Sequence, residues 1–284
     1  MDYNIDQDWN LVIRPKKNLL DFNFKALWRY RDLIMMFVRR DFVSKFKQSI
    51  LGPAWFIIQP LLSTVMFTIV FSRIAGITTD GLPPMLFYLS GTVAWTYFSS
   101  SMLATTDTFI TNANIFGKVY FPRLTVPVSI VISNFILFLI QFLFLIVFMF
   151  FYWLKGTHIN INSSVFLIPF LLILMSALSL GFGIIISAMT TKYRDLRFLM
   201  QFGVQLWMYA TPIIYPLSKI PAKYRLYITL NPLTSVIETF RYSLLGTGTF
   251  SWSAIAYSSI FAVVILIIGV LMFNRVERTF MDVV

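Results

Sequence analysis

The sequence predicts an all-α, polytopic membrane protein with six transmembrane helices, and two observations carry that prediction. Hydrophobic residues make up 58% of the chain and charged residues 12%, with a mean hydropathy of +0.76. A water-soluble domain could not cover that much apolar surface. The apolar residues also fall in long runs, and 284 residues accommodate six spans of about 20 residues with short connections. No large soluble domain fits beside them.

Residues 1–20 begin MDYNIDQDWN, acidic where a signal peptide is basic, and no apolar core follows. They read as an uncleaved cytoplasmic segment. Residues 21–49 are mixed in character. Phe24, Leu27, Trp28, Met35, Val38, Phe42 and Phe46 recur within about 100° of helical arc, with Lys25, Arg29, Arg40 and Lys47 mostly opposite. The longest apolar run, 33–38, is too short to cross a bilayer. This pattern predicts an amphipathic helix lying in the cytoplasmic membrane interface, or else a helix that binds a soluble partner.

Residues 50–284 form the predicted transmembrane domain, with spans at about 52–74, 85–106, 126–154, 165–190, 198–215 and 252–273. Ten of the 23 basic residues precede Leu51 and the others sit between apolar runs. The net charge of +11 is therefore a topology signal and not a nucleic-acid footprint. With both termini in the cytoplasm, only Arg73, Lys155, Lys219, Lys223, Arg225 and Arg241 fall outside.

Four of those six lie in 217–248 and break the positive-inside rule locally. Asn231-Pro232 reads as a cap and first helical residue, opening a helix that runs through Leu233, Val236, Ile237, Phe240 and Leu244 to a stop at Gly246. That helix is too short to cross, so the segment reads as a re-entrant hairpin dipping into the outer leaflet before the last span. Glu238 and Arg241, at i,i+3 spacing, form either an ordinary helix-surface contact or an outer gate.

Between the second and third spans, 112–124 reads NANIFGKVYFPRL, a basic-aromatic stretch bounded by Pro122. Tyr120, Phe121 and Arg123, exposed on a cytoplasmic loop, suggest a docking surface for another protein or an interfacial anchor.

Several stretches resemble the permeases of polysaccharide-exporting ABC transporters, which carry O-antigen, capsule or teichoic acid. RRDFVSKFKQSILGPAWFIIQPLL is similar to that family's interface helix and first span, and GLPPMLFYLSGTVAWTYF to the start of its second. NANIFGKVYFPR resembles the loop helix that contacts the ATPase. TKYRDLRFL, ATPIIYPLSKIPAKYRLYITLNPLTSVIETFRYSLLG and VERTFMDVV continue the likeness almost from Arg39 to the end. The second block carries LPP where the family has an LPY-like version, and residues 1–20 match nothing.

The resemblance implies a multi-pass protein of the bacterial inner membrane that moves a lipid-linked polysaccharide, O-antigen favoured, as a homodimer bound to a dimer of a separate ATPase. It implies that Ile115, Phe116, Lys118, Tyr120, Phe121 and Arg123 seat in that ATPase, and that the first and fifth spans line the channel. ATP and Mg would be bound by the partner. In agreement, no G-x-x-x-x-G-K-[ST] phosphate loop occurs in this chain, since Gly117-Lys118 lacks the upstream glycine and the following Ser or Thr.

Other classes fit less well. The chain has no cysteine and a single histidine, His158, so neither thiolate chemistry nor a His cluster for a metal is available, and no cofactor is expected. A membrane-embedded enzyme acting on polyprenyl-linked sugars needs converging acids, bases or metal. An ion-coupled carrier usually holds carboxylates within its spans. Both are poorly supplied here.

Aromatic residues, 18% of the chain, exceed what interfacial belts need. Trp55, Tyr88, Trp95, Trp207, Tyr209 and Tyr215 are candidates for a wall along which sugars slide, against core packing or a lipid-facing belt. Arg39, Arg40 and Lys47 flank the first span and read as candidates to capture a lipid pyrophosphate, or as charges that set topology and attract anionic lipids.

Overall fold

The computed structural model describes residues 24–47, 50–119, 121–193 and 195–279, so the N-terminal segment 1–20 and Tyr120 lie outside the described residues. Among those described the protein is helical throughout, with no strand.

The interface segment is two helices and not one. α1 (Phe24–Arg29) and α2 (Arg31–Phe46) are broken at Tyr30, whose backbone leaves the helical region at φ −94°, ψ 19°. The apolar groups of α2 divide between two faces. Ile34, Phe37 and Val38, at i, i+3 and i+4, are buried against the protein, whereas Trp28 on α1 and Met35 and Met36 on α2 point outward. The expected single stripe through Trp28, Met35 and Val38 is thus split.

A short tight turn, Gly52–Ala54, leads into α3 (Trp55–Phe67), and wide π turns continue it to Ile74. Pro60 sits inside α3 and cannot donate to the Phe56 carbonyl one turn back. Gln141 Nε2, from the later helix Thr125–Leu154, donates to that carbonyl at 3.0 Å, compensating for the missing bond.

α4 (Pro84–Thr106) is the central helix, packed by α3, by α6 (Thr125–Leu154), by α7 (Ile168–Thr190) and by the later α10 (Pro232–Leu245). Sheltered from lipid, it carries serines and threonines whose hydroxyls bond back to carbonyls of the preceding turn, as Thr105 Oγ1 does to Ser101 O at 2.7 Å and Thr106 Oγ1 to Met102 O at 3.0 Å. Close approach of α7 needs small residues. A Cβ at Gly183 would lie 2.5 Å from Thr105 Cβ, and one at Gly269 would lie 2.6 Å from Ile184 Cγ1, where α11 (Trp252–Thr279) meets α7.

α5 (Thr108–Phe116) follows α4 directly, and α8 (Leu196–Tyr209) follows α7. Beyond α8 the chain makes a turn at 217–219, a short helix α9 (Ala222–Thr229), and α10 (Pro232–Leu245). The caps of α10 are those expected. Asn231 Oδ1 accepts from Leu233 N at 3.1 Å, and Gly246 ends the helix at φ 74°.

Among the described residues, four helical stretches are long and apolar enough to cross a membrane: Gly52–Ile74, Thr125–Leu154, Ser163–Thr190 and Trp252–Val276. The other two expected spans differ from these for physical reasons. α4 is long enough at 23 residues, but its buried hydroxyls lower its hydropathy. The stretch 198–215 is helical only to Tyr209. Thr211 precedes Pro212, which disfavours helical backbone, and α8, at 14 residues, reaches about 21 Å.

Candidate functional site

On the side of the molecule where α2, α5 and the loop before α6 meet, an aromatic cluster forms from Phe37, Phe109, Phe116, Phe121 and Phe273. Phe109 and Phe273 stack at 4.5 Å between centroids, while Phe37 and Phe116 each lie 5.7 Å from Phe121. Phe121 is only 5% exposed and Phe116 4%, which corrects the expectation that the loop aromatics face water. Arg123 lies over the Phe116 ring at 5.6 Å. Ile115 is half-buried against the cluster. The side chains that do face outward include Ile110, Asn114, Lys118 and Val119. Of these, Ile110, Asn114 and Val119 were not singled out from sequence, and the i,i+4 spacing of Ile110 and Asn114 was the available signal.

Two polar ties join α5 to its neighbours. Arg40 Nη2 reaches Asn112 Oδ1 at 3.4 Å and pairs with Asp41 at 2.8 Å, while its guanidinium lies 4.7 Å from the Phe37 ring centroid. Asp107, between α4 and α5, pairs with Arg197 at the start of α8 at 2.9 Å. Burial pushes the Asp107 carboxyl above the usual range, with Arg197 opposing the rise. Arg40 is therefore engaged in holding α2 to α5. Arg39 and Lys47 are exposed. Lys45, two positions before Lys47, donates to Asn134 Oδ1 at 3.1 Å.

The six candidate aromatics do not share one wall. Trp55 and Tyr209 are about half exposed. Trp207 and Tyr215 are half-buried. Trp207 meets Phe98 and Phe182 edge-on at 5.4 and 5.1 Å, and Tyr215 Oη donates to Tyr209 O at 3.0 Å. Tyr88 and Trp95 are packed in the interior at 0% and 6% exposure, which leaves them no surface for a sliding polymer in this structure. The Tyr88 hydroxyl has no hydrogen-bond partner among the described residues. Tyr88→Phe is accordingly expected to keep or raise the melting temperature of the purified protein, because it removes a desolvated, unpaired polar atom. A marked fall would mean that the hydroxyl has a use.

A groove of about 780 Å³ runs between α6 and α7, lined by Phe135, Phe138, Phe142, Leu172 and Ile173, with the Tyr97–Ser176 hydroxyl pair in its wall. It contains no charged group to hold a phosphate or an acidic sugar.

Glu238 and Arg241 are 2% and 1% exposed, which replaces the helix-surface reading with a buried ion pair of 3.1 Å. Arg241 Nη1 also donates to Pro212 O at 3.1 Å, and its guanidinium lies 3.8 Å from the Phe87 ring centroid. Glu238 Oε2 accepts from Thr249 N at 3.0 Å and from Thr249 Oγ1 at 3.3 Å. Space for the guanidinium comes from Gly91, where a Cβ would lie 3.0 Å from Arg241 Nη2. The pair therefore ties α10 to α4, to the turn after α8 and to the loop before α11. Nothing in the sequence announced Phe87, Gly91, Pro212 or Thr249 as partners.

A sequence model of the ABC-2 type transporter family matches residues 32–245. An O-antigen export system permease protein RfbA of Klebsiella pneumoniae is 30% identical over 252 residues, covering 89% of this chain and 95% of that protein. RfbA of Myxococcus xanthus is 26% identical over 219 residues, covering 76% of this chain and 82% of its own. The polysialic acid transport protein KpsM of Escherichia coli is 24% identical over 240 residues, covering 84% and 91%. The family model spans most of the chain, from α2 to the end of α10, and with these relatives it establishes that the chain belongs to the ABC-2 type transporter family.

Proposed function

We propose that this chain is the permease subunit of an ATP-driven exporter that moves a lipid-linked polysaccharide, O-antigen being the favoured class, across the bacterial inner membrane. The observation that carries this is likeness over nearly the full length of permeases named for O-antigen export. Two copies work together with a dimer of a separate ATPase, which binds ATP and Mg. α3 and α8 support a second copy, because Leu62 and Met66 on one and Phe198, Phe202 and Leu206 on the other stay more than half exposed within a single chain. Trp55, Trp207, Tyr209 and Tyr215 are the aromatics proposed to meet the polymer, and Arg39 and Lys47 the cations proposed to meet a lipid pyrophosphate, because each keeps exposed surface. Reconstitution tests the reading. Vesicles holding this chain and its ATPase should export lipid-linked polysaccharide with ATP and not without, whereas export by the chain alone would favour an ion-coupled carrier.

The topology that goes with this has both termini in the cytoplasm, α4 as the second crossing, α8 together with the non-helical stretch 210–215 after it as the fifth, and α9 and α10 as a re-entrant hairpin on the outer side. Single cysteines check it in a chain that has none of its own. In intact cells an impermeant thiol reagent should label Lys219→Cys and leave Lys118→Cys unlabelled. Equal labelling would exclude the odd number of crossings between them.

A further inference from the structure

Three exposed cations, Lys219, Lys223 and Arg225, sit on α9 and the turn before it, on the side that the topology above makes external. Positive charge on that side runs against the usual distribution and needs a cause. Arg241 has one, its buried partner Glu238. These three have none among the described residues, where no ion pair involves them, and the sequence contains no carboxylate between Asp195 and Glu238.

Their neighbours are as informative. Lys223, Leu226, Tyr227 and Leu230 follow one another at i, i+3, i+4 and i+7, so they share one face of α9. Leu226, Tyr227 and Leu230 are 66%, 70% and 52% exposed. The C-terminal end of the helix is fixed to the protein, with Ile228 O accepting from Thr234 Oγ1 at 2.6 Å and Leu230 O from Tyr257 Oη at 2.9 Å. The helix is thus anchored at that end while Lys223, two leucines and a tyrosine share an exposed face, with Lys219 in the turn before it.

We propose that this face of α9 is a docking site for anionic phospholipid headgroups of the outer leaflet. The mixture selects the occupant. A polymer in water could satisfy the cations and stack on the tyrosine, but it would leave the two leucines wet. A bilayer boundary offers hydrocarbon and phosphate within one helix diameter, which suits both sets of side chains. Headgroups captured here would hold the hairpin at a fixed depth. The proposal rests on the external placement of α9 given above.

The test uses the full-length chain with Tyr224→Cys, at the margin of that face, carrying an environment-sensitive fluorophore. The protein is reconstituted in nanodiscs of phosphatidylcholine alone or of equal parts phosphatidylcholine and phosphatidylglycerol. Emission should shift to the blue with phosphatidylglycerol and return as salt is raised. Each cation near an anionic surface contributes about fivefold in affinity, so Lys219→Gln and Lys223→Gln together should weaken docking about 25-fold, while Arg225→Gln, on the other side of the helix, should change it little. Identical emission in both discs overturns the proposal. So does a shift in phosphatidylcholine discs on adding inorganic phosphate or dextran sulfate, which would mark a site for free anions or for polymer. A disulfide between two Tyr224→Cys copies would mark a contact between protomers and overturn it as well. The discs report lipid docking whichever side α9 lies on. Failure of external labelling of Tyr224→Cys in intact cells would therefore sink the topology separately.

Discussion

Arg241→Ala is expected to cost about 3–5 kcal/mol of stability and to reduce membrane abundance severely, because it strands a carboxylate in the interior. Glu238 is only 2% exposed, and what remains to it after the substitution is Thr249, through its backbone N and its hydroxyl. The Pro212 carbonyl would lose its arginine donor at the same moment. Melting of the purified protein, read by intrinsic tryptophan fluorescence, measures the loss directly.

The companion variant separates charge from shape. Glu238→Gln keeps the shape but only one acceptor oxygen, so it serves either Thr249 or Arg241 and turns an NH2 toward the other donor, and the guanidinium loses its counter-charge, so a loss is expected here too. Combining Glu238→Gln with Arg241→Met should recover part of the stability lost in Arg241→Ala, because no lone charge then remains buried. If Arg241→Ala melts like the parent and reaches normal abundance, the pair does not hold α10 to the turn after α8. A role at the outer end would then have to rest on something other than this tie.

The hairpin also shows what sequence alone could tell. The cap Asn231, the proline at the first helical position and the stop at Gly246 are local signals, readable from neighbouring residues, and α10 has the bounds they predict. The partners of Glu238 and Arg241 come from positions far along the chain, on α4, after α8 and before α11, and no local signal encodes such contacts. Phe121 failed for a related reason. An aromatic beside a proline in a loop looks exposed until the fold brings Phe37 from α2 and Phe116 from α5 around it. The end of α8 was legible in Thr211-Pro212, but hydropathy counts side chains and is blind to backbone, so it carried the span on to Tyr215. α4 was legible as a helix. Its central place was not read, although the serines and threonines that lower its hydropathy were the available signal.

Carboxylates placed on the outward face of the α5 region are expected to detach the ATPase without harming the permease. Ile110 and Val119 are 40% and 60% exposed, so Ile110→Asp with Val119→Asp should leave folding and abundance close to those of the parent. An ATPase groove that closes over these positions would have to desolvate two charges. Losing even one anchoring contact commonly costs about 2 kcal/mol at an interface, roughly thirtyfold in affinity. Co-purification of the ATPase from detergent extracts and its stimulation by reconstituted permease should both fall to that extent. Phe121→Ala supplies the contrast. That side chain is enclosed by Phe37 and Phe116, and truncating a buried phenylalanine typically costs about 3–5 kcal/mol, so the permease itself should become scarce whether or not a partner is present. Should the double aspartate variant retain its ATPase and full stimulation, the partner does not seat on Ile110 and Val119. Docking would then have to run through the basic end of the same loop at Lys118 and Arg123, where charge reversal is the corresponding probe.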